Sequence, residues 1–205
     1  MNEDKLYDFY KTNLNQHGSN ARGVGWKNEE AQTIRFWQLY KLMVLSDSFS
    51  LNDLGCGVGD FVGFLLERKT NFEYRGYDLL EEMVQLAKKK YEKCTPTTFE
   101  CVNHAGEMRV ADFTIASGIF NIKFEMSEEE WLKKIISTIE QMNAKSNKGF
   151  AFNMLSKYSD LEYRKGELYY GDPTFFFDFC KKRFSKNVAL LHDYDQYDFT
   201  MIVRK

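Results

Sequence analysis

The sequence is short of several things that would each have set its class. It has only two prolines in 205 residues, and no proline- or glycine-rich linker, repeated period or low-complexity tract divides it. Cysteine is sparse. Cys56, Cys94, Cys101 and Cys180 stand far apart with no CxxC pair or short metal-ligand spacing, which argues against a disulfide scaffold or a metal centre and for free thiols in a reducing compartment. No run approaches the roughly 18 continuous apolar residues that cross a bilayer. The opening MNEDKLYDFY carries acids where a secretory signal would have a basic region and an apolar stretch. A cytoplasmic protein with no membrane partner is therefore expected. An excess of one charge is also lacking: 28 Lys and Arg face 30 Asp and Glu for a net −2, too few spare cations for a nucleic-acid partner.

Aromatic residues, in contrast, are plentiful, with 18 Phe, 12 Tyr and three Trp. Together with 43% hydrophobic and 28% charged residues, they describe a folded domain with a sizeable core. Leu6, Phe9, Tyr10 and Leu14 recur at helical spacing, and a polar stretch, NQHGSNARGVGW, reads as the loop that follows. Asn28 can cap a second helix over EEAQTIRFWQLYKLMVL. A strand at Ser50 to Leu54, a glycine turn, a helix from Asp60 to Arg68, a strand FEYRGYD and a helix EEMVQLAKKKYEK then form a beta-alpha-beta unit. TTFECV and ADFTIAS read as strands three and four, with HAGEMR between them too short for a normal crossover helix. Ser127 and Glu130 form a capping-box pattern ahead of an amphipathic helix, GFAFNML is strand five, and FFFDFCKKRF is a short helix. Strands near KNVALL and YDFTMIVR finish the chain. The alternation predicts a mostly parallel sheet covered by helices on both faces, with an antiparallel pair at one edge. Residues 1–205 read as one domain, with 1–45 as an N-terminal helical cap and 155–172 as a small insertion after strand five.

The turn Asp53-Leu54-Gly55-Cys56-Gly57-Val58-Gly59 lies where a strand meets a helix. Glycines there let the backbone approach a ligand without Cβ collision, and the helix that follows presents free amides. Asp53 suits a ligand bearing an ammonium group better than a pyrophosphate. The third glycine of a dinucleotide fingerprint would fall on Asp60, and the GK[ST] of a P-loop is missing. Asp78 ends the next strand, 25 residues after Asp53, where a carboxylate can accept hydrogen bonds from both hydroxyls of an adenosine ribose.

On these residues the chain resembles the class I S-adenosylmethionine-dependent methyltransferases, whose glycine motif is matched by DLGCGVG and whose ribose-binding acid by Asp78. The resemblance spans about Asn28 to Lys205. It implies a Rossmann-like seven-stranded sheet in the order 3-2-1-4-5-7-6, strand 7 antiparallel, with S-adenosyl-L-methionine across the C-terminal ends of the first strands and S-adenosyl-L-homocysteine as product. It further implies that Gly55 and Gly57 line the methionine moiety, with Asp53, Cys56 and Gly59 of the same motif also binding the cofactor. Leu79 would pack by adenine, and Ser117-Gly118 would border the methyl-transfer centre. Many members carry an acid after strand three that touches the adenine amine; this chain has Val102-Asn103-His104-Ala105, so Asn103 or His104 stands in its place.

SGIFN, at Ser117 to Asn121, is similar to the small-molecule methyltransferases and lacks the Asn/Asp-Pro-Pro-aromatic sequence of nucleic-acid amino methyltransferases. No complete set of acidic magnesium ligands is present, so the transfer is expected to be metal-free. Removing a proton from the acceptor calls for a base. His17, His192, Asp193 and Asp172 are the candidates, with ordinary loop, hairpin-turn and helix-start roles as alternatives. Tyr7, Tyr10, Trp26, Tyr169 and Tyr170, with Asn121, are candidate walls of an acceptor pocket, and core packing is the competing role for each aromatic. Arg22 and Arg35 would indicate an acidic acceptor if both faced that pocket. A lysine or N-terminal amine of a protein as acceptor, and a noncatalytic cofactor-binding or partner role, remain alternatives.

Overall fold

The computed structural model describes residues 2–205. Seven strands form one sheet in the order β3-β2-β1-β4-β5-β7-β6. The strands are β1 (Ser48–Leu54), β2 (Asn71–Asp78), β3 (Thr97–Cys101), β4 (Ala111–Ala116), β5 (Ser146–Leu155), β6 (Asn187–Leu191) and β7 (Asp198–Arg204). The first five pair in parallel, and β7 runs antiparallel to both β5 and β6. This is the sheet of the class I methyltransferases, in the strand order that the resemblance implied.

Side chains alternate between the two faces of each strand because the strand repeat is two residues. Leu51, Tyr74, Phe113, Ile115, Ala151 and Ile202 therefore pack on one face with Phe36, Phe61, Leu65 and Val84. These come from α2 (Glu29–Tyr40), α3 (Asp60–Glu67) and α4 (Glu81–Lys90). Tyr77, Phe150, Phe152, Phe199, Met201 and Val203 pack on the other face with Ile135, Ile139, Phe176 and Cys180, from α5 (Glu128–Ala144) and α6 (Pro173–Arg183). Local signals set the helix starts. Asn28 Oδ1 accepts the Ala31 amide at 2.8 Å, and Ser127 and Glu130 form the expected capping box.

The structure differs from the sequence-based expectation mainly at helix ends. Helix α1 (Asn2–His17) runs a full turn past Leu14 and stops where Gly18 adopts φ +69 and donates its amide to the Leu14 carbonyl. His17 is thus the last helical residue, not part of a loop. Helix α2 ends at Tyr40, five residues before Leu45, because Leu42 and Met43 tighten into i to i+3 turns that bury both side chains. The link from β3 to β4 contains a 3-10 turn at Ala105–Glu107, capped by His104.

Candidate functional site

The C-terminal ends of β1, β2 and β4 face one cavity of about 850 Å³. Its floor is the glycine turn. The amides of Gly55 and Cys56 both donate to the Tyr77 carbonyl, at 2.7 and 3.1 Å, which ties the turn to the end of β2. Gly55 has φ +75, and a Cβ on it would lie 2.2 Å from Ile119 Cγ2, so only glycine fits this position. Asp78 accepts the Gly57 amide at 2.8 Å and the Leu80 amide at 3.0 Å. Two amides leave the carboxylate with lone pairs to spare on the cavity side.

Asp53 is buried and accepts the Tyr74 hydroxyl at 2.6 Å. Burial pushes its pKa from 3.8 up to about 7 against that hydrogen bond, and the neighbouring Asp78 and Asp60 add to the rise. Asp78 is raised as well, chiefly by burial, while the Leu80 and Gly57 amides oppose the shift. Tyr10, from α1, reaches over the turn. Burial and the nearby Asp78 push its hydroxyl up to about 12, so it is a donor at neutral pH. Cys56 is likewise raised by burial and by Asp78.

Above the turn, the walls come from segments distant in sequence. Gly118 has φ +76, and a Cβ there would meet the Trp26 ring at 2.7 Å. The Gly118 amide donates to Asn153 Oδ1 at 2.7 Å, and Asn153 Nδ2 donates to Ser117 Oγ at 3.2 Å. Trp26 lies over the Arg35 guanidinium, 4.6 Å from the ring centroid. Leu6 and Phe9 of α1, Ile122 and Phe124 after β4, Lys134, Ser137, Thr138 and Gln141 of α5, and Lys165, Glu167 and Leu168 after β5 add to the lining. The stretch after β5 meets the post-β4 segment through the Ile122–Leu168 bridge.

Of the residues named from sequence, Asp53, Gly55, Cys56, Gly57, Asp78, Leu79, Asn103, His104, Ser117, Gly118, Tyr10, Trp26, Arg35 and Asn121 line this cavity. Several others do not. Gly59 starts α3 beneath the turn, against Tyr91 and Phe99, where it permits packing. His17 is exposed at the end of α1, and Arg22 is exposed in the following loop. Tyr7 is exposed beside Lys11. Tyr169 is buried with the α5–α6 face of the sheet, and the Tyr170 hydroxyl accepts the Lys165 amide at 3.0 Å. His192 and Asp193 are exposed at the β6–β7 turn, with His192 against Tyr158 and Phe199.

Asp172 caps α6, accepting the Thr174 amide at 2.9 Å, and pairs with Lys157 at 2.7 Å. The Lys157 hydrogen bond holds its carboxyl down at about 2, the opposite of what a base needs. Arg35 faces the cavity but is already neutralised. Its Nε and Nη2 donate to the two oxygens of Asp198 at 2.5 and 3.0 Å, and Nη1 donates to the Ala31 carbonyl at 2.6 Å. The two arginines therefore do not converge on an anionic acceptor.

Asn153, Asp198 and Glu167 escaped the sequence reading. A polar residue inside an apolar strand was the available signal for the first, in GFAFNML. Asp198 has a similar setting beside Phe199. Glu167 lies in a polar loop with no pattern to mark it.

Comparison with known proteins bears on the family and the fold. A family model described as a methyltransferase domain matches residues 52–144. Rv1506c of Mycobacterium tuberculosis, provisionally named a methyltransferase, is 43% identical over 165 residues, covering 80% of this chain and 98% of the relative. Among solved structures, magnesium protoporphyrin IX methyltransferase from Synechocystis, with bound S-adenosylhomocysteine, superposes with a TM-score of 0.69 over 99% of both chains at 16% identity. The N-methyltransferase NodS from Bradyrhizobium japonicum, also with S-adenosylhomocysteine, gives 0.66 over 97% of both chains at 12% identity. The [4+2]-cyclase SpnF gives 0.62 at 16% identity, covering 92% of this chain and 72% of its own. At such identities these structures speak for the fold, which carries more than one chemistry.

Proposed function

The chain belongs to the class I S-adenosylmethionine-dependent methyltransferases, and on that footing we propose that it methylates an oxygen or nitrogen of a small organic acceptor without a metal. The observation that carries this reading is one continuous cavity of about 850 Å³ running from the glycine turn to walls supplied by α1, Trp26 and the insertion. That volume lies within the roughly 300–1,000 Å³ of small-molecule sites. The covering by α1 and the insertion suits a compact molecule rather than a peptide laid in an open groove. In this reading residues 1–205 act as one cytoplasmic domain, with 1–45 and 155–172 as its caps and no nucleic-acid partner.

The residues present fit the cofactor. Gly55 and Gly57, both at positive φ, keep the turn on the cavity floor free of side chains. Asp78 keeps free lone pairs for ribose hydroxyls, Asp53 offers a buried carboxylate to an ammonium, and Leu79 offers an apolar surface to adenine. When bound, S-adenosylmethionine supplies a methyl group made electrophilic by its sulfonium sulfur. The chain's own task is to align the acceptor and keep water out. Trp26, Phe9, Phe124, Ile122 and Leu168 exclude water from the acceptor side. Asn153 holds Ser117-Gly118 in place beneath them. The four bases expected from sequence stand outside the cavity, and Tyr10 and Cys56 hold their protons. Glu167 at the rim is our candidate for accepting the acceptor's proton.

Calorimetric titration with S-adenosylmethionine and S-adenosylhomocysteine tests the cofactor half, with Asp78→Ala expected to weaken binding by about a hundredfold through lost charge-assisted hydrogen bonds. Transfer from methyl-labelled cofactor into a cell extract tests the acceptor half. Label in extracted small molecules supports the proposal, and label confined to protein would sink it.

A further inference from the structure

A net charge of −2 hides a lopsided surface. The cavity opens at the C-terminal ends of the parallel strands. At the opposite end, pairing of Gly149 and Asn187 with Arg204 gathers the starts of β5 and β6 around the end of β7. Lys205 Nζ donates to the carbonyls of Asn143 and Ser146, each at 2.5 Å, which sets it beside Lys145 and Lys148. Arg204 Nη2 donates to the Lys41 carbonyl at 2.6 Å and brings in the turn after α2. Ser185 Oγ donates to the Arg204 carbonyl at 2.5 Å, and Lys181 Nζ to that of Lys186 at 2.6 Å, adding the end of α6 with Lys182 and Arg183.

Seven lysines and two arginines thus gather around the end of β7 with four acids, Asp47, Asp112, Glu140 and Asp178, and the Glu73–Arg75 ion pair lies beyond them against the Val110 carbonyl. Three of the acids are taken, by Lys148 at 3.1 Å, Arg183 at 3.1 Å and Lys182 at 2.7 Å. The other six cations have no carboxylate partner among the described residues.

The same edge carries bare aliphatic side chains. Leu45 is 94% exposed and Val44 53%, in the turn that leads from Lys41 into β1. Val110 is 51% exposed just before β4, the strand beside β1. It neighbours Lys145, whose carbonyl accepts the Ala111 amide at 3.0 Å. Aliphatic tips beside lysines combine the two signals of peripheral attachment: insertion at the headgroup boundary and attraction to anionic lipid. Protein interfaces are instead depleted in lysine and enriched in aromatics. A nucleic-acid backbone would use the cations but not the aliphatic tips. We propose that this edge docks the protein on a membrane surface bearing anionic lipid, with the cavity turned toward water.

Sedimentation of the full chain with vesicles of phosphatidylcholine, alone or mixed with phosphatidylserine, tests it. Binding to the mixed vesicles only, lost as salt rises, is expected. The double variant Lys145→Glu, Lys186→Glu should bind more than about tenfold more weakly, and Leu45→Ser about tenfold more weakly. Unchanged S-adenosylhomocysteine binding and thermal midpoint would show both variants folded, and Lys41→Gln with Lys181→Gln is the milder substitute. Equal sedimentation with both vesicle types, none with either, or full binding by the charge-reversed variant would overturn the proposal. So would retention on heparin together with no effect of Leu45→Ser, which would assign the face to polyanions in general.

Discussion

The two halves of the cavity are built differently. The half we propose for the cofactor is a run of neighbouring residues: the turn at 53–59, the end of β2 at Asp78 and the start of α4, tied together by backbone amides. The half we propose for the acceptor is an assembly. Trp26, Arg35, Gly118 and Leu168 come from four separate segments, held by the stacking of Trp26 on Arg35, the Gly118 hydrogen bond to Asn153 and the Ile122–Leu168 bridge. Backbone geometry of one turn is difficult to vary without losing the ligand, whereas walls made by convergence can change one residue at a time. On the proposed function, that contrast would put acceptor selection in the assembled walls rather than in the turn.

The largest effect is expected at the anchor of the acceptor half. Arg35 and Asp198 are 8% and 0% exposed, so Arg35→Met strands a buried carboxylate. It should cost about 3–5 kcal/mol, seen as a fall in the chemical-denaturation midpoint. Replacing Asp198 by leucine as well should restore most of it. If the single variant is as stable as the wild type, the assembled half is not held by this pair.

Gly118→Ala comes next. It forces φ +76 on a side chain that would also strike Trp26, costing about 1–2 kcal/mol. Trp26 emission should shift, while S-adenosylhomocysteine affinity changes less than in Asp78→Ala. An equal loss of cofactor affinity would erase the distinction between the halves.

The cofactor half should respond to pH. Asp53 keeps its proton up to about 7 in the folded protein against 3.8 ordinarily, so it contributes stability below pH 3.8 that is lost as pH rises through 7. Binding of an ammonium-bearing ligand runs the opposite way. S-adenosylhomocysteine should bind about tenfold more tightly per pH unit gained below 7, levelling off above it. Asp53→Asn should flatten that profile. A wild-type profile that is already flat would remove Asp53 from the ammonium site.

The smallest effect tests a residue outside both halves. Asp172→Ala removes the α6 cap and should cost about 1 kcal/mol without changing cofactor affinity or transfer. Because its carboxyl is held near 2 against 3.8, its contribution is present above pH 3.8 and fades as pH falls through 2. A selective loss of transfer with stability intact would return Asp172 to the reaction.

Much of the molecule follows from the chain read by itself. Periodic apolar positions, Asn28 and Ser127 as caps, and glycines at fixed offsets from Asp53 place every strand and all but the ends of the helices, because each depends on neighbours a few residues away. The glycine turn at the cavity floor was legible for the same reason. Tertiary structure alone decided the rest. It removed His17, His192, Asp193 and Asp172 from the cavity, since a titratable side chain in a polar loop carries no record of where that loop folds. It paired Arg35 with Asp198, 163 residues away, and so neutralised a cation that the sequence offered to an acidic acceptor. It also gathered nine basic residues at one edge of a chain whose total charge is almost balanced, because charge counts along a sequence do not record which strand ends meet.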